Sequence, residues 1–270
     1  MNRLAVIGHL AINDTKTKFG RRLYCGGAGF HVAWAAGMVL GKNVNLFSRC
    51  GSDYDLSALK NIGVDTRNVE IIGKTSDRFL IVENQDGRTF KVEGEISSKL
   101  SLDGYDLTGF DWFHLATAPP KQQLEWLRLI RRGNKKAKIS ADSFETYLEN
   151  DRSEVIEVFK QCDLVFANEY EWLLLDKEKM YPVIIKCGAK GVIYKNDVGN
   201  DIVVRTVKIN KVVDTTGAGE IVAGVFLALN KIDNEGIETS LSKACRLASM
   251  SIEDFGVEHI VGNVDKILSR

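Results

Sequence analysis

Hydrophobic residues along the chain fall into short runs, separated by glycine-rich and charged stretches. Leu4 to Gly8 is an apolar run ending in glycine and predicts a buried strand. Phe30 to Leu40, rich in alanine and apolar residues, predicts a helix, and Val44 to Phe47 a second strand. From about residue 110 the pattern alternates. Trp112–Ala116, Ala137–Ala141, Leu164–Ala167, Val183–Lys186 and Val192–Lys195 read as strands. Gln122–Arg132, Ser153–Lys160 (with Ser153 as its cap), Glu169–Leu175, Gly217–Leu229 and Leu241–Asp254 read as helices. In the first of these, Leu124, Leu127 and Ile130 share one face. Strands alternating with helices predict an α/β fold with a mostly parallel sheet covered on both faces. Ligands in such sheets bind beyond the carboxyl ends of the strands.

The segment from Val69 to Ile96 is different in character. Phe79, Ile81 and Phe90 alternate partly with polar residues, and Asp86-Gly87 stands between the two runs as a hairpin signal. This predicts a small antiparallel sheet outside the main layer, a lid contributed mainly by about residues 69–96 and part of 12–25. Its exposed edges could pair between two copies. No repeat, low-complexity tract or long linker divides the 270 residues, so one domain is expected.

Bulk composition narrows the function classes. Lys+Arg and Asp+Glu balance at 36 each, so no basic footprint points to nucleic acid. No apolar run approaches the roughly 18–20 residues that span a membrane, and the first ten residues carry no cleavage-site pattern. The five cysteines are scattered and never form a Cys-x-x-Cys pair, which reads as free thiols in a reducing compartment. A cytoplasmic protein is expected. Gly8-His9-Leu10 lacks the Gly-x-Gly-x-x-Gly turn of a dinucleotide-binding enzyme.

The most informative stretch is Val213-Asp214-Thr215-Thr216-Gly217-Ala218-Gly219-Glu220, which opens a long apolar helix. Small residues let the backbone approach a ligand, and the free N–H groups of a first helical turn, with their partial positive charge, suit a phosphate. Glu220 beside them could accept a proton from an attacking hydroxyl. Read from Gly-Ala-Gly alone, the stretch is equally a tight turn that caps a helix.

Asp214 to Gly219 match in full the Asp-Thr-x-Gly-Ala-Gly-Asp signature of the ribokinase-like (PfkB-type) sugar and nucleoside kinases, and the chain resembles that family over nearly its whole length. The resemblance implies a ribokinase-like three-layer αβα sandwich with a small β lid, and an ATP- and Mg2+-dependent phosphotransferase acting on a hydroxyl of a sugar, an inositol-like polyol or a nucleoside. It assigns Gly217, Ala218, Gly219 and Glu220 to catalysis, with Glu220 in place of the family's aspartate base. The longer side chain sets the carboxylate about 1.5 Å further out, and a misplacement of about 1 Å can cost on the order of 100-fold in rate.

Further motifs fall in order. Asn168-Glu169-Tyr170-Glu171 matches the family's Asn-x-x-Glu, so Asn168 and Glu171 are expected near nucleotide and magnesium, Glu171 acting through water. Lys186-Cys187-Gly188-Ala189-Lys190-Gly191 is similar to the family's Thr-x-Gly-x-x-Gly near the nucleotide, with Lys186 replacing threonine. Lys186 either contacts phosphate or extends to solvent. Asp214 and Thr215 complete the nucleotide side. On the substrate side, Gly26 and Gly27 resemble the Gly-Gly motif, His31 stands where the family often has asparagine, and Asp142 fits a strand-end aspartate. The family's early substrate aspartate maps to Asn13, or to Asp14 if one residue is inserted. The short span from Asp14 to Gly26 suggests a reduced lid. Homodimerisation through the lid is an implied possibility. Against the active kinase stands a second reading, a kinase-like sensor that binds nucleotide or sugar with little turnover.

Overall fold

A computed structural model of the chain describes residues 3–84, 87–175, 180 and 182–263. The described residues form two sheets. The larger has nine strands, in chain order β1 (Leu4–Ile7), β4 (Val44–Cys50), β5 (Val69–Ile71), β8 (Trp112–Leu115), β9 (Lys138–Ala141), β10 (Leu164–Asn168), β11 (Val183–Lys186), β12 (Val192–Lys195) and β13 (Ile202–Val204). Across the sheet they run β13-β12-β11-β10-β9-β8-β1-β4-β5. Pairing is parallel from β5 to β11, and β11, β12 and β13 form an antiparallel edge.

Helices cover both faces, which is why the strands read as apolar runs rather than alternations. Leu4 and Val6 of β1 point into one core with Phe30 and Trp34 of α1 (Ala28–Leu40), Val225 and Phe226 of α7 (Ala218–Phe226), and Leu241 and Leu247 of α8 (Ile237–Ser251). Ala5 and Ile7, on the opposite face of the same strand, join Trp126 and Ile130 of α3 (Pro120–Gly133) and Val155 and Phe159 of α5 (Arg152–Lys160). The result is the ribokinase-like three-layer α/β fold. Three shorter helices, α2 (Ser57–Asn61), α4 (Glu145–Asn150) and α6 (Glu169–Leu175), complete the described set.

The smaller sheet has the order β3-β2-β6-β7, from β2 (Ala11–Thr17), β3 (Gly20–Gly26), β6 (Arg78–Asn84) and β7 (Gly87–Glu93). The span after Asp14 is therefore a full hairpin strand pair. Val69–Ile71, expected in this sheet, instead pairs with β4 at the edge of the large one. Strands β6 and β7 pair antiparallel as the hairpin signal predicts, though Asp86 of that turn lies outside the described residues, and β2 and β6 run parallel. Ser153 is not a cap. Helix α5 starts one residue earlier, and the serine hydroxyl bonds Glu154 at 2.7 Å. All five cysteines are free. Among the described residues, no helix is long and apolar enough to cross a membrane.

Candidate active site

Strand ends β9, β10 and β11 meet the N-terminus of α7 at one place. The turn before α7 is shaped by Asp214, whose Oδ1 accepts from the Thr216 N–H at 2.9 Å and from the Thr216 hydroxyl at 2.5 Å. Its other oxygen accepts from the Tyr24 hydroxyl. Gly217 caps α7 with φ 81°, a left-handed conformation that costs a side-chain-bearing residue about 1–3 kcal/mol. A second reason for glycine is contact: a Cβ there would lie 2.3 Å from the His31 ring. Ile221 N–H bonds back to the Gly217 carbonyl at 2.9 Å, whereas the amides of Gly219 and Glu220 find no backbone acceptor among the described residues. Free amides and the helix dipole together make a site for an anion.

Lys186 lies against this turn, its Nζ 3.4 Å from where a Cβ on residue 219 would sit. The ammonium does not extend to solvent. It donates to Asp142 Oδ2 at 2.5 Å, and its side chain is only 15% exposed. Burial alone would lower its pKa, but the negative charges of Asp142, Glu171 and Glu220 outweigh that and hold it above the usual lysine value. Asp142 is 1% exposed. Burial pushes its carboxyl up, and the lysine pulls against that shift.

The Asn168-x-x-Glu171 spacing has a local cause. Asn168 Oδ1 accepts from the Glu171 N–H at 2.8 Å, and Glu171 Oε2 accepts from the Asn168 N–H at 2.7 Å. This reciprocal pair is a capping box at the start of α6. Burial raises the Glu171 pKa to about 7, with Lys186 opposing and Asp142 adding to the shift.

From Lys186 and Gly219 a cleft of about 450 Å³ runs outward, lined by Gly188, Gly191, Thr215 and the apolar side chains of Val207, Ile209, Val222 and Ile252. Its floor includes the turn between β11 and β12, where Gly191 has φ 108°. Lys186, Gly188, Gly191, Thr215, Ala218 and Gly219 all border this one space, with Asp214, Asp142 and Glu220 at its head.

The smaller sheet closes the other side of the turn. Asn13 pairs with Tyr24 across β2–β3, so the two share a face, and the Tyr24 hydroxyl meets Thr15 at 3.1 Å and Asp214. Asn13, not Asp14, therefore looks toward the anion turn. Asp14 sits on the opposite face, gripped by Arg21 Nε at 2.6 Å and Nη2 at 2.5 Å. Gly26 lies under Asn13, whose Nδ2 would be 2.2 Å from a Cβ at residue 26, and Gly27 caps α1 at φ 99°. His31 is 2% exposed behind Gly217 rather than open to a pocket.

Four residues at this junction were not anticipated: Arg88, Glu83, Thr15 and Tyr24. Arg88 of β7 donates to the Thr215 hydroxyl at 3.0 Å and to the Thr216 hydroxyl, and Glu83 of β6 accepts from Thr215 at 3.2 Å. Strand alternation carries the signal, since Arg88 precedes Phe90 and Val92 at period two on one face.

A match to the model of the pfkB family of carbohydrate kinases extends over residues 1–261. The chain belongs to the pfkB family. Among its relatives is a cytidine kinase of Thermococcus kodakarensis, 28% identical over 248 residues, covering 83% of this chain and 87% of the relative. Two solved structures carry the fold of this pfkB-family kinase across its full length. The nucleoside kinase of Methanocaldococcus jannaschii has a TM-score of 0.81 at 20% identity, covering 100% of this chain and 98% of its own. The ribokinase of Cryptococcus neoformans var. grubii, in complex with ADP, has a TM-score of 0.84 at 18% identity, covering 100% and 99%.

Proposed function

We propose that this pfkB-family kinase transfers the γ-phosphoryl group of ATP to a hydroxyl of a nucleoside, with sugars and polyols as the wider acceptor class. The observation that carries this reading is the turn at Gly217, where unsatisfied amides and a carboxylate stand together at the head of a cleft. The nucleotide lies in that cleft, over Gly188, Gly191 and Thr215, with its phosphates toward Lys186 and the Gly217-Ala218-Gly219 turn, where the amides of Gly219 and Glu220 are free. Glu220 takes the proton of the attacking hydroxyl. Asn13, Gly26 and Gly27 hold the acceptor, and Arg88 closes over the turn from the smaller sheet. The relatives named for cytidine and nucleosides favour a nucleoside as the first acceptor to try.

Oxygen donors here suit magnesium, because Glu171 keeps one carboxylate oxygen outside its cap and Asp142 stands nearby. No group of three His, Cys, Asp or Glu side chains converges among the described residues, so Asn168 and Glu171 would hold the ion through water. When bound, magnesium neutralises charge on the phosphate oxygens. A homodimer through the smaller sheet belongs to the same reading, since the face bearing Asp14 also carries Leu23 and Val82, 55% and 39% exposed.

The test is ADP release from Mg-ATP across a panel of nucleosides, sugars and inositols. Acceptor-dependent turnover is expected, with Glu220→Ala losing about 10²- to 10⁴-fold in kcat while still binding ATP. Unchanged turnover in that variant would remove Glu220 from the role of base. Nucleotide binding by the wild type without turnover on any acceptor would favour a sensor on the same fold.

A further inference from the structure

His31 presents an acceptor that no contact in the protein uses. Its backbone N–H and its Nδ1 both reach the Gly27 carbonyl, at 3.1 and 3.0 Å. A carbonyl oxygen can only accept, so Nδ1 carries the proton and Nε2 offers a lone pair. Burial pushes the imidazole pKa down, which keeps the ring neutral. Yet Nε2 is buried and has no partner among the described residues. Leaving such an atom unpaired is unfavourable unless some state of the molecule supplies a donor.

The position of that lone pair narrows the donor. A Cβ on Gly217 would lie 2.6 Å from Nε2, so this ring edge sits directly behind the cap of α7. Glu220 is the third residue of α7, the place from which a glutamate side chain reaches back toward its own cap. The charged groups that face the ring are Glu220, Asp214 and Arg88, with Glu220 the strongest. Both oxygens of Asp214 are already engaged, by Thr216 and Tyr24. Arg88 spends its two Nη groups on Thr215 and Thr216, and its Nε is itself unpartnered, so it does not meet His31.

We propose that His31 is a positioning residue for Glu220, its Nε2 accepting a hydrogen bond from the Glu220 carboxyl once that group has taken the substrate proton. The inference rests on the kinase reading above. In the step itself, the acceptor oxygen bonds to the γ-phosphorus as the bond from that phosphorus to the ADP oxygen breaks. ADP leaves with the electron pair of the broken bond, and the hydroxyl proton passes to a Glu220 oxygen. The new O–H then points to Nε2. Because Nδ1 is tied to Gly27, the base is fixed relative to the Gly26-Gly27 turn beneath Asn13.

The test compares wild type, His31→Phe and His31→Gln, each with Glu220 and with Glu220→Asp, using the best acceptor from the panel. Phenylalanine keeps a ring without an acceptor, and glutamine offers an amide oxygen near the Nε2 position. His31→Phe should lower kcat by about 30-fold, less than the roughly 10²- to 10⁴-fold that general-base catalysis itself contributes, and leave KM for ATP within about twofold. His31→Gln should recover most of that loss. With the shorter Glu220→Asp carboxylate, His31→Phe should have little further effect. An unchanged kcat in His31→Phe, a glutamine no better than phenylalanine, or the same loss in both Glu220 backgrounds would overturn the proposal. If His31→Phe does not fold, His31→Met takes its place. Nitrogen NMR of the wild type gives an independent reading: the neutral Nδ1–H form is expected, and an Nε2–H form or an imidazolium at assay pH overturns it. A wild type silent on every acceptor instead fails the kinase reading itself.

Discussion

On the cleft side of the anion turn, Lys186 is 2.5 Å from Asp142, and Glu171 closes a reciprocal cap with Asn168. On the other side, toward the smaller sheet, Asn13 Nδ2, His31 Nε2 and Arg88 Nε are buried without partners. All of these groups are polar and buried or half-buried, yet Lys186, Asp142, Asn168 and Glu171 find partners within the protein and those three nitrogens do not. A buried polar group without a partner lowers stability, and a ligand that supplies the partner recovers the loss on binding. The cleft side thus holds the fold together before any ligand arrives. Under the proposed function, the three unpartnered nitrogens would meet their partners in the acceptor or in the reaction. Stability and function should therefore separate across the turn.

The sharpest break is Lys186→Met. It leaves Asp142 buried with no counter-ion, a change that typically costs about 3–5 kcal/mol. Asp142 can relieve part of this by staying protonated, since burial already raises its pKa, so a loss of about 3 kcal/mol is expected in ligand-free chemical unfolding. Adding Asp142→Asn should recover most of it. A single variant as stable as wild type would mean the pair is not structural, and the two sides of the turn would then be alike.

Asn13→Ala probes the unfinished side and should behave in the opposite way. Its Nδ2 makes no bond to lose, so unfolding should shift by less than about 1 kcal/mol. KM for the acceptor should rise about tenfold, the equivalent of about 1.4 kcal/mol, with KM for ATP little changed. A destabilised variant with an unaltered acceptor KM would reverse the assignment.

How far the chain disclosed this in advance differs between the same two regions. The large sheet was legible because strands such as Val183–Lys186 are short, mostly apolar runs, and the anion turn because Asp214 to Gly219 match a whole signature, where Gly-Ala-Gly alone reads equally as a helix cap. The small sheet was half legible. Phe79, Ile81 and Phe90 marked β6 and β7, but β2 and β3 carry Asn13-Asp14-Thr15 and Arg21-Arg22 among few apolar residues, so periodicity was weak there. Whether Asn13 or Asp14 faced inward turned on a one-residue register, which flips every side chain of a strand and is fixed only by pairing with Tyr24 and Phe79. Lys186 could not be placed from sequence, because its partner lies 44 residues away at the end of another strand.

The smallest expected effect separates the two uses of Glu171. Its pKa in the folded protein is raised from 4.5 to about 7, chiefly by burial. The folded state therefore holds this proton more tightly than the unfolded chain. The stability it contributes is full below about pH 4.5 and is lost as the pH rises toward 7. Glutamine at the same position still closes the cap through its amide oxygen but does not titrate. Unfolding curves taken at about pH 5 and about pH 8 should thus show a fall in wild-type stability that is smaller in Glu171→Gln, by on the order of 1 kcal/mol. The same variant should need more magnesium for half-maximal turnover, because the carboxylate oxygen outside the cap has become an amide. An equal pH slope in both proteins, with unchanged magnesium demand, would leave Glu171 as a helix cap alone and confine the metal to the phosphates.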